Sequence, residues 1–273
     1  MPEENTNLDY WQSKIQVGKV THKGMVRTHN EDTLLSIEPL SSKGILEEKY
    51  IGLFAVADGL GGYEGGEIAS SLALRVLAEN IVKSLFLSEL GGKPSVVNDE
   101  LISKVLTQAV RAANSEIYAQ SQVQGNNMST TLVAALLVNN TAYIANVGDS
   151  RIYLLQGEEL RQITTDHSLV AALVAAGEIT PEEVYAHPRR NVITRCLGIQ
   201  QSVEADLFTK VLKPGNSLLL CSDGLWEMVR NNEIRDVVLR AQNPQAACEQ
   251  LVELANQNGG VDNISVIVVK VTG

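Results

Sequence analysis

Six widely spaced apolar runs, rich in β-branched residues, constrain this chain more than any other feature: 15–20, 50–57, 131–138, 141–147, 217–221 and 264–271. Such stretches lack the three-to-four-residue period of a surface helix and predict strands buried or half-buried in a sheet. Only Asn139 and Asn140 separate the runs at 131–138 and 141–147. Asparagine tolerates positive φ, so a tight hairpin with antiparallel pairing is expected there.

Helical patterns lie between the strands. Ile68, Leu72, Val76, Ile81 and Leu85 make one apolar stripe, and Ile102, Leu106, Ala109, Ala113 and Ile117 make another. Asn243-Pro244 reads as the cap and first-turn proline of a third helix, which turns Leu251, Leu254 and Ala255 inward. The segment 168–190 differs. An Ala-rich helix stopped by Gly177 is followed by Thr180-Pro181-Glu182-Glu183, which resembles a capping box, so a small helical insertion outside the core is expected. Strands and helices occur in blocks rather than strict alternation, which favours α+β over a doubly wound parallel sheet. Residues 1–14 read as a loose tail.

Composition narrows the class. With 273 residues, 44% hydrophobic and 20% charged, the chain is ordinary globular protein, long enough for one large domain or two. The longest apolar run, 169–176, falls well short of the roughly 18 residues of a membrane span. The polar, acidic start MPEENTNLDYW is unlike a secretory signal. Cys196, Cys221 and Cys248 are odd in number and lack C-x-x-C spacing, which fits a reducing cytoplasm. A formal charge of −10 disfavours binding to a phosphate backbone. Solvation accounts for most of the acidic excess.

It does not account for all of it. Asp58, Asp149, Asp223 and Asp262 each stand at the end, or just before the start, of a strongly apolar strand. Any one of them is an ordinary turn former. Four gathered within ~6 Å would repel by roughly 3 kcal/mol per pair at an effective dielectric near 20, and would have to protonate or hold cations. Carboxylates, a glycine carbonyl and water suit Mg²⁺ or Mn²⁺ rather than zinc, and the four histidines show no paired spacing. Gly59, Gly61, Gly62, Gly65 and Gly66 fit either close backbone approach to a ligand or a flexible start to a helix. Arg27, four and five residues before Glu31 and Asp32, fits either a surface ion pair or a phosphate clamp.

Taken together, the segments RTHNED from Arg27, DGLGG from Asp58, MSTT from Met128, NVGDSR from Asn146, DHS from Asp166, TRCLG from Thr194, CSDGLWE from Cys221 and DNIS from Asp262 resemble the metal-dependent protein phosphatases of type 2C. They run in that family's order over nearly the whole chain beyond the tail, and the stretch HPRRNVITRCLG is most similar to bacterial members. The resemblance implies a four-layer αββα sandwich of two antiparallel sheets flanked by helices. A single catalytic domain would span 15–273, with a flap at about 168–190.

Carried over residue by residue, Asp58 would bridge two Mn²⁺ or Mg²⁺ ions and the Gly59 carbonyl would bind one of them. Asp223 and Asp262 would complete the other shell, and Asp149 with Asp223 would hold a weaker third ion. Arg27 would take the substrate phosphate. Glu31 would act through metal-bound water, and Asp32 and Asn263 would orient water or ligands. The implied reaction is hydrolysis of phosphoserine and phosphothreonine in proteins by in-line attack of a metal-bridging water or hydroxide. Expected partners are phosphoproteins, with the product of a cognate kinase among the candidates, and neither nucleic acid nor membrane. A cytoplasmic monomer is expected.

One departure stands out. Animal members carry a histidine just after the Asp-Gly pair, assigned as the acid for the leaving alkoxide, where this chain has Leu60. His167 and His187 remain alternatives, with a structural role for each the plainer reading. Other phosphohydrolase signatures fail. There is no C-x₅-R loop, no G-D-x-H-G, and Gly92-Lys93 is followed by Pro94, which spoils a P-loop.

Overall fold

A computed structural model describes residues 15–40, 51–61, 64–87 and 98–272. The expected tail at 1–14, the start of the run at 50 and Gly62 lie outside the described residues. The strands are β1 (Ile15–His22), β2 (Asp32–Leu40), β3 (Ile51–Leu60), β4 (Ser129–Thr130), β5 (Leu132–Val138), β6 (Thr141–Val147), β7 (Arg151–Gln156), β8 (Glu159–Gln162), β9 (Asp206–Val211), β10 (Ser217–Cys221) and β11 (Ile264–Val271). They form two sheets, ordered β1-β11-β10-β7-β8 and β2-β3-β5-β6-β9, with the short β4 added to β3. Every pairing is antiparallel. The hairpin expected between β5 and β6 is present, and Asn139 adopts φ 54° in its turn.

The apolar runs are continuous because both faces of these strands are covered. On β5, Val133, Ala135 and Leu137 pack between the sheets, while Leu132, Ala134 and Leu136 face helices. On β10, Leu218 and Leu220 point to the inter-sheet layer, and Leu219 and Cys221 to the other side. The period-2 geometry of a strand produces this division.

Helices α1 (Glu64–Val82), extended by a π-helical turn at Lys83–Leu87, and α2 (Asp99–Gln124) cover one outer face. The Asn98 side chain caps α2 by accepting the Leu101 N–H, and Gly125 ends it in the left-handed region at φ 66°. The short α4 (Asp223–Trp226), α5 (Asn231–Arg240) and α6 (Pro244–Gln257) cover the other face. Asn243 caps α6 as expected, and Leu251 and Ala255 are fully buried beneath it. The result is the four-layer αββα sandwich. One expectation is corrected: Ile68 is 37% exposed, so the inward stripe of α1 begins with Ala69 and Leu72.

The segment 168–190 holds α3 (Leu169–Ala175), capped by Ser168, and a 3₁₀ turn at Glu183–Ala186. The expected reciprocal cap is made: the Thr180 N–H donates to Glu183 Oε2 at 2.7 Å, and the Glu183 N–H donates to Thr180 Oγ1 at 3.4 Å. The segment is less peripheral than expected, because Val170 and Val184 are buried in the same apolar layer as Trp226.

Candidate metal centre

Strand register brings the acidic residues to one end of the sandwich. Asp32 opens β2 and sits directly across from Asp58 on β3. Leu132 of β5 faces Val147 of β6, so the turn carrying Asp149 lies at that same end. Cys221 is paired with Arg151 on one side and with Val266 on the other, which brings Asp149, Asp223 and the turn before β11, with Asp262, together. The β6–β7 connection crosses from one sheet to the other, so Asp149 stands where the sheets meet. A cavity of ≈ 310 Å³ opens there, and its walls include Arg27, Glu31, Asp58, Gly59, Asp223, Asp262 and Asn263.

The backbone around Asp58 is held from several sides. Its N–H donates to Thr131 Oγ1 at 3.0 Å, while its carbonyl accepts from the Thr131 N–H at 2.9 Å and from Thr130 Oγ1 at 2.8 Å. Thr131 Oγ1 also lies 2.7 Å from Ser150 Oγ, which ties Asp58 to the Asp149 turn. The Gly59 N–H donates to the Glu31 carbonyl at 3.2 Å, and a Cβ at Gly59 would sit 2.2 Å from the Gly66 carbonyl oxygen. Only glycine allows the chain to pass there. At Gly224 a Cβ would lie 2.1 Å from the Asn263 carbonyl oxygen, so α4 can press its first turn, with Asp223, against the loop of Asp262. Trp226 fixes the remaining corner by donating its indole N–H to the Asp149 carbonyl at 3.0 Å.

Asn263 is a bracket for the loop that carries Arg27 and Glu31. Its Oδ1 accepts the Glu31 N–H at 2.8 Å, and its Nδ2 donates to the carbonyls of Lys23 and His29 at 3.0 and 2.8 Å. Arg27 donates through Nη2 to Asp262 Oδ2 at 2.8 Å. Asp32 lies beneath the cavity, 7% exposed, and accepts from Ser222 Oγ at 2.7 Å.

Electrostatics marks the cluster as short of positive charge. Burial pushes the Asp58 carboxyl well above the usual carboxylate range, and the charges of Asp223, Asp32, Asp149 and Asp262 push it further. Asp223 is raised by burial and then by Asp149 and Asp262. Burial raises Asp32 to about 7 against the opposing hydrogen bond from Ser222, and raises Asp149 to about 7 with help from Asp166. Burial also raises Glu31, although Arg27 pulls the other way.

The Oδ1 atoms of Asp32, Asp149 and Asp223 are buried and accept no hydrogen bond. Buried oxygens are rarely left so, and a hard cation is the partner their chemistry fits. Among the described residues no group of three acidic, histidine or cysteine side chains closes on one point as it stands. One oxygen of Asp262 is engaged by Arg27. Mg²⁺-type ions nevertheless keep several waters and need only one or two carboxylates directly, so the donor set fits them.

Thr130, Thr131, Ser150, Ser222 and Trp226 stand in the MSTT, NVGDSR and CSDGLWE segments, but their roles in building the site act through side-chain hydrogen bonds that leave no periodic signal. His29, Asn191 and Ile193 also line the cavity, the last two from just beyond the flap. Leu60 lines it as well. His167 and His187 do not. The Nδ1 of His167 accepts the Gly148 N–H at 3.0 Å, which braces the Asp149 turn, and its Nε2 faces Arg195 at 2.9 Å and Asp206 at 3.2 Å, so both ring nitrogens are engaged. His187 Nδ1 accepts the Arg189 N–H at 3.2 Å. Asp166 of the DHS motif forms a buried bidentate pair with Arg151, whose guanidinium stacks over Trp226 at 3.5 Å from the ring centroid.

Comparison with known proteins points to one family and fold. The protein family described as Protein phosphatase 2C matches residues 42–257. The serine/threonine phosphatase stp of Listeria monocytogenes is 38% identical over 253 residues, covering 92% of this chain and 93% of its own. The crystal structure of the Mycobacterium tuberculosis serine/threonine phosphatase PstP/Ppp superposes with a TM-score of 0.79 at 34% identity, covering 95% of this chain and 100% of that one. A structure of the PstP catalytic domain in complex with two manganese ions gives a TM-score of 0.77 at 34% identity, with coverage of 95% and 99%.

Proposed function

The chain belongs to the protein phosphatase 2C family, and from that premise we propose how its own residues carry the reaction. It is a manganese- or magnesium-dependent serine/threonine protein phosphatase acting on phosphorylated proteins. The observation that carries the residue-level reading is the buried, unpartnered carboxylate oxygens of Asp32, Asp149 and Asp223 at one end of the sandwich, where Asp223 lines a cavity together with Asp58, Asp262 and the half-exposed Arg27 guanidinium. Asp58, the Gly59 carbonyl, Asp223 and Asp262 would hold two divalent ions, and Asp149 with Asp223 would hold a weaker third. Bound there, such ions lower the pKa of water toward neutrality and offset charge on the transferring phosphoryl group.

The protein's own groups do the rest. Arg27 binds the substrate phosphate: its bond to Asp262 uses one of five N–H donors, which leaves others for two phosphoryl oxygens at once. Asn263 keeps Glu31 and Arg27 at the cavity wall by fixing the loop between them. Asp32, anchored by Ser222 across from Asp58, orients water or ligands from below the cavity and is a positioning residue. Glu31 faces the cavity and orients water there. Water attacks phosphorus in line with the departing seryl or threonyl oxygen, and the three cysteines stay out of the cavity wall.

The same proposal treats 15–273 as one catalytic unit with 168–190 as its flap, working as a monomer on products of a cognate kinase. Among the described residues no helix is long and apolar enough to cross a membrane. Three free cysteines support a reducing, cytoplasmic setting. The test is phosphate release from a phosphoserine peptide with Mn²⁺, with and without a chelator. Release that survives chelation unchanged would overturn the metal assignment.

A further inference from the structure

A second concavity, ≈ 550 Å³, lies beside the catalytic cavity between β1, the loop after it and α6. Val20 and Val252 give it an apolar floor, Met25 stands at its lip, and Glu249 and Glu253 line its rim. Met25 is 67% exposed and its neighbour Val26 65%, high values for large apolar side chains on a soluble surface. The groove and the catalytic site share the same two loops. The N–H groups of Met25 and Val26 both donate to the Gly260 carbonyl, at 2.7 and 3.3 Å. Met25 is two residues before Arg27, and Gly260 two before Asp262. Two residues of chain span at most ~7 Å, so the groove starts within a few peptide units of the phosphate-binding position.

The rim carries uncompensated charge. Glu249 and Glu253 are exposed and one helical turn apart, a spacing at which like charges repel. Among the described residues each carboxylate meets a side-chain amide and no cation: Gln245 Nε2 donates to Glu249 at 3.0 Å, and Gln257 Nε2 donates to Glu253 at 3.2 Å.

We propose that this groove docks a basic stretch of the phosphoprotein substrate, a Lys- or Arg-bearing segment a few residues from the phosphoserine or phosphothreonine. Long basic side chains match it in both parts. Their aliphatic stems lie along Met25, Val20 and Val252, and their charged heads reach Glu249 and Glu253. Methionine at the exposed lip adapts to stems of different shape. The same carboxylates repel nucleic acid and anionic membrane surfaces. The proposal rests on the phosphatase reading above.

The test compares two phosphoserine peptides on the full chain with Mn²⁺, identical except that arginines two to four residues from the phosphoserine, on either side, are replaced by glutamine. The expected kcat/KM ratio, basic over neutral, is about fivefold at low salt, as two exposed ion pairs supply, and it falls toward one as salt is raised. The Glu249→Gln/Glu253→Gln double variant should bring the ratio near one at every salt concentration, and Met25→Ala should lower it in part. Because each ratio is taken within one protein, a loss of folded fraction cancels. A wild-type ratio of one for both placements, or a ratio unchanged in the double variant, overturns the docking proposal while hydrolysis of p-nitrophenyl phosphate keeps the phosphatase reading standing. Absence of that hydrolysis in the wild type overturns both.

Discussion

At the residue scale the chemistry depends on carboxylates placed where water cannot solvate them fully. Asp58→Asn and Asp262→Asn should each abolish phosphate release while leaving the circular-dichroism spectrum intact. Asp58 is raised by burial and by four like charges, so its neutral amide relieves repulsion. The chelated Asp58→Asn protein should therefore melt at or above the wild-type temperature, and a clear fall would contradict the reading. A pH effect follows with a definite sign. Asp32 and Asp149 titrate near 7 in the folded chain, against about 3.9 when unfolded, so the folded state holds protons that the unfolded state gives up. That stability is present below about pH 4 and is lost as pH rises through 7. The melting temperature of chelated protein should fall between pH 5 and 8, with a shallower slope in Asp32→Asn. Arg27→Ala should raise KM for small phosphates more than it lowers kcat, because its half-exposed guanidinium is the proposed phosphate clamp. An unchanged KM would count against the clamp.

At the element scale, strand ends carry chemistry and strand interiors carry stability. Leu220 on β10 is fully buried between the sheets. Leu220→Ala should cost about 2–5 kcal/mol in denaturant unfolding, from lost transfer energy and the cavity left behind. The α6 cap is a smaller matter: Asn243→Ala should cost about 1 kcal/mol. The five strands without a long apolar run, β2, β4, β7, β8 and β9, are those whose pattern is diluted by polar residues. β9 alternates half-buried and exposed positions along Asp206–Val211, and β7 begins with Arg151, a charge made tolerable by Asp166 fifteen residues on. Helix α5 was missed because its buried contribution is only Ile234 and Val238 in a charged stretch.

At the scale of the whole molecule the site is a seam. Asp58 belongs to one sheet, Asp223 and Asp262 to the ends of strands in the other, and Asp149 to the crossing between them. An ion bound there joins both layers, so Mn²⁺ should stabilise the entire sandwich. By mass action the gain is about 2.7 kcal/mol at a hundredfold excess over Kd, rising with the logarithm of concentration. Calorimetric melts with and without Mn²⁺ should show this rise in the wild type and lose most of it in Asp262→Asn.

The cores of β1, β3, β5, β6, β10 and β11, helices α1, α2 and α6, the Asn139 turn and the acidic residues at strand ends were legible in the residues alone. These are local or periodic properties, written in neighbouring residues as hydrophobic runs, caps and turn chemistry. The folded chain alone reveals that Thr131, Ser150 and Trp226 hold the aspartate backbones in place, that His167 braces the Asp149 turn, and that Arg27 reaches Asp262 across 235 positions of chain. Such contacts depend on register and layer packing, which join residues distant in the chain. A single hydroxyl or indole N–H carries no trace of its eventual partner until the sheets close around it.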